Sequence, residues 1–191
     1  VTDDQAKYDS YTLEFEHQPT ILEVLRKIRD EYDATLAFRE SCGLGKCGSC
    51  AVLMNGDPVL ACRTPIEKEA IIEPLANHQV IKDLVVDFEC FFDKLRKVLP
   101  WFINDEPAPA DSERLQTPEQ TDEILEAVKC IYCGACTSSC PSAWMNADYL
   151  GPAALLKAYR FIADSRDRAA AERIRIVNDH DGAWRCHTIF N

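Results

Sequence analysis

The sequence predicts an α+β protein of two domains, a small mixed sheet crossed by one helix and then an all-helical half. Three observations carry that expectation. Short strand-like apolar runs precede residue 62, whereas three- and four-residue apolar spacing dominates beyond residue 80. A Pro-containing acidic stretch, Asn104 to Glu113, reads as an exposed connection. Eight of the ten cysteines fall into two groups, one on each side of that connection, and a ninth, Cys186, stands alone further on. The expected division is residues 1–103 for the first domain with a closing linker helix, 104–116 for the linker, and 117–191 for the second domain.

Tyr11 to Phe15 alternates apolar and polar as a half-buried strand would. Thr20 and Glu23 form a capping-box pair ahead of Ile21, Leu25, Ile28 and Tyr32 at helical spacing, which predicts the first helix. Ala51 to Met54, the pair Asn55-Gly56, and Val59 to Ala61 read as a β-hairpin, because Asn-Gly supplies the positive φ of a tight turn. Ile81, Leu84, Val85, Phe88, Phe92 and Leu95 predict an amphipathic helix from about residue 80 to Leu99, ended by Pro100 and carrying Cys90 as a buried inert thiol. Thr117, Pro118 and Gln120 mark another helix start, and that helix runs toward Cys130. Gly151 to Arg166 and Ala169 to Val177, rich in Ala, Leu, Arg and Glu, predict two more helices. His78 and His180 sit in polar stretches and read as surface residues; Asp3-Asp4 and the charges from Asp164 to Arg168 read as solvated or salt-bridged faces.

Bulk properties exclude several functions. A formal charge of −11, with basic residues interspersed among acids, argues against a nucleic-acid partner. Lys82, Asp83, Asp87 and Glu89 interrupt the longest apolar region, so no transmembrane segment is predicted. No signal-peptide pattern opens the chain, and closely spaced cysteine runs suit metals better than disulfides, which implies a reducing compartment.

The cysteine spacing carries the chemistry. Cys42, Cys47 and Cys50 make C-x4-C-x2-C, with Cys62 following at the end of the returning strand. This is plant-type ligation of a [2Fe-2S] cluster. Gly43, Gly45, Gly48 and Ser49 give the loop the freedom to fold tightly and aim N–H groups at sulfur. Cys130, Cys133, Cys136 and Cys140 make C-x2-C-x2-C-x3-C closed by Pro141, a run whose fourth cysteine ligates a different cluster from the first three. A structural zinc site is the alternative for either group, although zinc loops usually use paired knuckles. Electron transfer is the leading functional expectation.

These residues resemble the iron-sulfur subunit of succinate dehydrogenase and fumarate reductase, the respiratory complex II family. The resemblance is carried by Ser41 to Cys50, Leu60 to Pro65, Val80 to Val86, Cys130 to Ser142, Gly151 to Ala154 and Asp164 to Asp167. It implies a plant-type ferredoxin (β-grasp) domain followed by an α-helical ferredoxin domain. By the same resemblance, Cys42, Cys47, Cys50 and Cys62 hold a [2Fe-2S] cluster, Cys130, Cys133 and Cys136 a [4Fe-4S] cluster, and Cys140 and Cys186 a [3Fe-4S] cluster. Eleven thiolates are needed for three such clusters and nine suitable cysteines are present, so two ligands are expected beyond Asn191 or on a second chain. The family also has a strand ahead of the one expected at Tyr11, so the sequence is expected to be a piece of a longer protein.

The resemblance further implies FAD in a flavoprotein partner, membrane anchor subunits, and a quinone near Pro141, Ser142, Trp144, Met145, His187 and Ile189. The family often has a second Trp where Met145 stands, and Met cannot donate an indole N–H. His187 reads either as a donor to the quinone or as a histidine packing at the cluster. No dicarboxylate-site residue is expected in this chain. The implied location is peripheral, on the cytoplasmic face of a bacterial or archaeal inner membrane or the matrix face of the mitochondrial one. Two other readings stand beside this one: the iron-sulfur subunit of a related thiol- or glycolate-linked flavoenzyme, and a free ferredoxin-like carrier or zinc-stabilised interaction module.

Overall fold

The computed structural model describes residues 7–188. The first helix, α1 (Ile21–Glu31), starts at the predicted capping box, where the Glu23 N–H donates to the Thr20 hydroxyl and the Thr20 N–H donates back to the Glu23 carboxylate. Its apolar face buries Ile21, Leu22, Val24, Leu25 and Ile28, each worth roughly 1.5–3 kcal/mol when removed from water. Backbone bonds from Ile21 N–H to the Thr64 carbonyl and from Leu22 N–H to the Ala61 carbonyl, 3.0 and 2.9 Å, hang the helix on the segment around Cys62.

The predicted hairpin is present as β1 (Ala51–Met54) and β2 (Asp57–Leu60), with Ala51 opposite Leu60 and Met54 opposite Asp57. Asn55 and Gly56 turn it at φ 53° and 90°. A short third strand, β3 (Ile72–Glu73), pairs antiparallel with the other edge of β1, so the sheet order is β2-β1-β3. Leu22, Leu25 and Ile21 of α1 pack with Val52, Ala61, Cys50 and Cys62 into one core, which places two cysteines beneath the helix.

Two expectations fail here for physical reasons. Tyr11 to Phe15 forms no strand, although its exposure alternates as predicted: alternation selects a buried face, but a strand also needs a partner ladder, and none pairs with it among the described residues. The helix expected from residue 80 is instead a small hairpin, β4 (Val80–Lys82) and β5 (Val85–Val86), turned at Asp83 with φ 47°. Four of the seven residues from Val80 to Val86 are β-branched, and their packing preference outweighs a helical spacing that a strand-turn-strand also satisfies. The helix begins only at α2 (Glu89–Lys97), where the Asp87 carboxylate accepts the Glu89 N–H at 2.8 Å.

The described remainder of the chain is helical, as predicted. α3 (Pro118–Val128) carries the Thr117/Gln120 capping box; α4 (Ala135–Ser138) and α5 (Pro141–Met145) follow; α6 (Pro152–Ile162) and α7 (Ala170–Val177) close the bundle, before a single 3-10 turn, Ala183–Arg185. α6 touches α2, α3, α4 and α7 and so is the axis of this half. Phe91, Leu95 and Val98 from α2 and the segment after it pack against Leu150, Ala153, Ala154 and Ala158. Ala51, Leu53, Leu75 and Val86 form a third cluster, against which Phe88 and Cys133 pack, joining the sheet to the second cysteine group.

Candidate metal centre

Gly43, Gly45 and Gly48 all take positive φ (66°, 69° and 74°), so the first cysteine loop curls around a centre and turns its N–H groups inward. Leu44 and Lys46 N–H donate to Cys42 Sγ at 3.4 and 3.3 Å, and Gly45 N–H donates to Cys62 Sγ at 3.3 Å. Cys50 opens β1 and Cys62 follows β2, held together by the Ala61 N–H to Cys50 carbonyl bond at 3.0 Å. The four thiols approach in two pairs within hydrogen-bonding reach, Cys42 with Cys47 and Cys50 with Cys62. Hydrogen bonds from Ser49 and then Cys42 hold the exposed Cys47 thiol down at about 6, whereas burial pushes Cys50 up to about 11.

Gly48 brings this loop against the second one. A β-carbon there would stand 2.6 Å from the Ile131 carbonyl oxygen and 2.9 Å from Cys133 Cα, so only glycine permits the approach. In the second loop Tyr132 and Gly134 take φ 57° and 80°, and Gly134 is backed by the Phe88 ring and His78. Cys130 and Cys133 lie near enough to Cys136 for their charges to interact. Cys140 has extended backbone and caps α5, with Pro141 at its first position.

Tyr149 joins Cys140 to Cys186. Its side chain is 1% exposed, and its hydroxyl lies within electrostatic reach of Cys186, Cys140 and Cys136. Burial and then the neighbouring thiols push its ionisation far up, so it stays a neutral donor. The Leu150 N–H to Asp181 carbonyl bond and the Asn146 amide to Asp181 carboxylate bond, both 2.8 Å, lace the Tyr149 segment to the one that delivers Cys186. The sequence signal for Tyr149 was only an aromatic residue after Cys140, and it was missed.

Of the residues tied to a quinone by resemblance, Ser142 is buried and Pro141 half-buried, while Trp144, Met145 and His187 are exposed; Ile189 lies outside the described residues. The Trp144 indole N–H already donates to the Ser138 carbonyl at 2.6 Å. Cys90 is not the buried thiol expected: α2 buries Phe91 and Leu95, and Cys90 falls on the exposed face, at a cavity of about 280 Å³ shared with His78 and Trp144. His78 is not the surface residue expected either. Its ring packs on Phe88 and Phe91, and Nδ1 lies 3.0 Å from the Ala76 carbonyl. The charges from Asp164 are salt-bridged as anticipated but buried, with Asp164 2% and Asp167 7% exposed.

The donor set fits iron-sulfur clusters. All ten cysteines are free thiols. Two and two is the arrangement a two-iron rhomb requires. Among the described residues, the buried polar side-chain atoms left without partners, His78 Nε2 and Ser138 Oγ, both border the second loop.

Comparison with known proteins agrees with this geometry. A family model of a 2Fe-2S iron-sulfur cluster binding domain matches residues 1–93, and one of a 4Fe-4S dicluster domain matches residues 123–191. The chain is 42% identical over 195 residues to the succinate dehydrogenase iron-sulfur subunit of Paracoccus denitrificans, covering 100% of this chain and 75% of that protein. It is 44% identical over 178 residues to the mitochondrial succinate dehydrogenase [ubiquinone] iron-sulfur subunit 1 of Oryza sativa subsp. japonica, covering 91% of this chain and 63% of that one. A chain of the Mycobacterium smegmatis Sdh1 complex in the apo form has the same fold, with a TM-score of 0.73 at 24% identity over 86% of this chain and 72% of that chain.

Proposed function

The chain belongs to the family of succinate dehydrogenase iron-sulfur subunits, and from that premise we propose that it carries electrons between a flavoprotein's succinate/fumarate site and a membrane quinone. The observation that carries this reading is the Gly48 contact, which sets one cysteine loop directly against the other. Clusters bound there would supply one-electron redox chemistry.

The rest is the work of this chain's residues. Cys42, Cys47, Cys50 and Cys62 would hold a [2Fe-2S] cluster in a β-grasp domain, and the N–H groups of Leu44, Gly45 and Lys46 would disperse charge on its sulfurs. Cys130, Cys133 and Cys136 would hold a [4Fe-4S] cluster in an α-helical ferredoxin domain, with the division between domains in residues 104–116. Cys140 and Cys186 would serve a [3Fe-4S] cluster, with the buried Tyr149 hydroxyl close to both. Met145, 86% exposed, and Trp144, with its N–H already engaged, would offer a quinone apolar contact, leaving Ser142 and His187 as polar candidates beside Pro141 and Ile189. No described helix is long and apolar enough to cross a membrane, so attachment would come through anchor subunits, with FAD in the flavoprotein partner. The subunit would sit peripherally, on the cytoplasmic or matrix face.

The test is low-temperature EPR with metal analysis on the complex carrying this chain. An oxidised [3Fe-4S] signal together with a succinate-reducible [2Fe-2S] signal supports the reading. A [2Fe-2S] signal alone, or zinc without iron in the second half, overturns it.

A further inference from the structure

α6 buries Ala153, Ala154, Ala158 and Phe161, and on the same face it buries Lys157, which is only 5% exposed. A lysine at a core position costs several kcal/mol unless something nearby offsets its charge. Its Nζ donates to the Ala127 carbonyl at 3.2 Å and lies 4.7 Å from the centre of the Tyr132 ring. Neither contact is a carboxylate, and no ion pair involves Lys157 among the described residues.

Both partners belong to the segment that delivers the second cysteine group. Ala127 lies in the last turn of α3, three residues before Cys130, and Tyr132 stands between Cys130 and Cys133. The Ala127 carbonyl lies in the last turn of α3, so the buried ammonium also faces the negative end of that helix dipole, beside the exposed C-cap residue Lys129, which pairs with Glu126. A carbonyl and a ring together are modest compensation for a desolvated cation. A cluster bound by thiolates is anionic, and gains a further negative charge on reduction.

We propose that Lys157 is the electrostatic partner of the cluster held by Cys130, Cys133 and Cys136, its buried ammonium favouring the reduced state. This rests on the ligand assignment made above and adds a positioning residue that touches no ligand itself. The bland alternative is that Lys157 only caps α3, in which case it contributes stability and leaves the redox equilibrium alone.

The experiment is an EPR-monitored redox titration of the whole complex, comparing the parent with Lys157→Gln, which keeps a donor for the Ala127 carbonyl but removes the charge. The expected result is a [4Fe-4S] reduction equilibrium less favourable by roughly tenfold, about 59 mV for a one-electron couple, with a smaller shift at the [2Fe-2S] cluster. Lys157→Arg keeps the charge and should stay near the parent value. Lys157→Met, similar in shape, serves where the Gln variant fails to assemble. Unmoved midpoints in a neutral variant whose clusters are intact would sink this inference alone. Absence of any [4Fe-4S] signal from the parent complex would remove the ligand assignment, and this inference with it.

Discussion

Gly48 and Cys133 meet so closely that a β-carbon on the glycine would lie 2.9 Å from the cysteine α-carbon and 3.0 Å from its β-carbon. The contact is backbone to backbone, so no flexible side chain can yield. Gly48 is also at φ 74°, where any other residue is strained. Gly48→Ala is expected to push the two cysteine loops apart, at a cost on the order of 1–3 kcal/mol from strain alone. Rapid-freeze EPR after mixing with succinate should show the first cluster reduced normally and the second reduced more slowly. Unchanged kinetics in a fully loaded variant would mean that this contact does not set the transfer distance.

The two thiol environments in the first loop predict an order of chemical modification. Cys47 is exposed and lowered to about 6, so in iron-free protein it is mostly thiolate at pH 7.5; Cys50 is buried and raised to about 11, so it is thiol. Iodoacetamide should alkylate Cys47 first and Cys50 far more slowly, by peptide mass mapping. Lowering the pH through 6 should slow the Cys47 reaction as the thiolate is protonated. Iron-loaded protein should resist at both. Equal rates at Cys47 and Cys50 would contradict the geometry of the loop.

What was legible in the sequence was local. Both capping boxes, the Asn-Gly hairpin and the positive-φ glycines of the first cysteine loop depend on residues within a few positions of one another, and each is found where the pattern put it. The stretch from residue 80 was misread because apolar spacing of three and four fits both a helix and a bent hairpin, and only the β-branched residues and the Asp83 turn separate them. His78, Tyr149 and Lys157 were missed because their partners lie far away in sequence: Phe88 and Gly134, Cys186, and Tyr132. Lys157 did leave a trace, a single cation on the otherwise apolar face of α6.

Asp164 makes acid stability readable. Burial would raise its carboxyl, but hydrogen bonds from the Arg166 side chain and backbone and from Arg160 overcome that and hold it at about 2, below the ordinary 3.8. The folded protein thus binds this proton less readily than the unfolded chain. Its contribution to stability is complete above about pH 4 and is lost as pH falls toward 2. Asp164→Asn should melt below the parent at pH 6, and the gap between the two should narrow between pH 4 and 2. Calorimetry on matched preparations reads that gap and cancels any acid loss of iron common to both. A gap independent of pH would show that shape, not charge, carries the effect.

Arg173 tests how the helical half is locked to the end of α2. Its guanidinium and the Asp167 carboxylate are both wholly removed from solvent, 2.5 Å apart, and the same side chain donates to the Leu99 carbonyl at 3.1 Å and the Trp101 carbonyl at 2.7 Å. Leu99 turns the chain at φ 52°, so the fork of donors holds a conformation that α2 needs in order to lie on α6. Asp167 in turn accepts the Ile103 N–H at 2.9 Å and the Ala169 N–H at 2.8 Å, which makes the pair a joint between residues 99–103 and the start of α7. Removing Arg173 leaves the Asp167 charge buried without its cation and the Trp101 carbonyl without its donor, while the Leu99 carbonyl keeps only the Trp101 N–H, so Arg173→Ala should cost about 3–5 kcal/mol. Arg173→Lys keeps the charge but not the planar fork and should fall between. Because α2 also packs against the core holding Leu150, next to Tyr149, the Ala variant should lose iron from the second cysteine group before the first on mild heating. Iron lost equally from both groups would mean that the joint steadies the whole molecule and not this half.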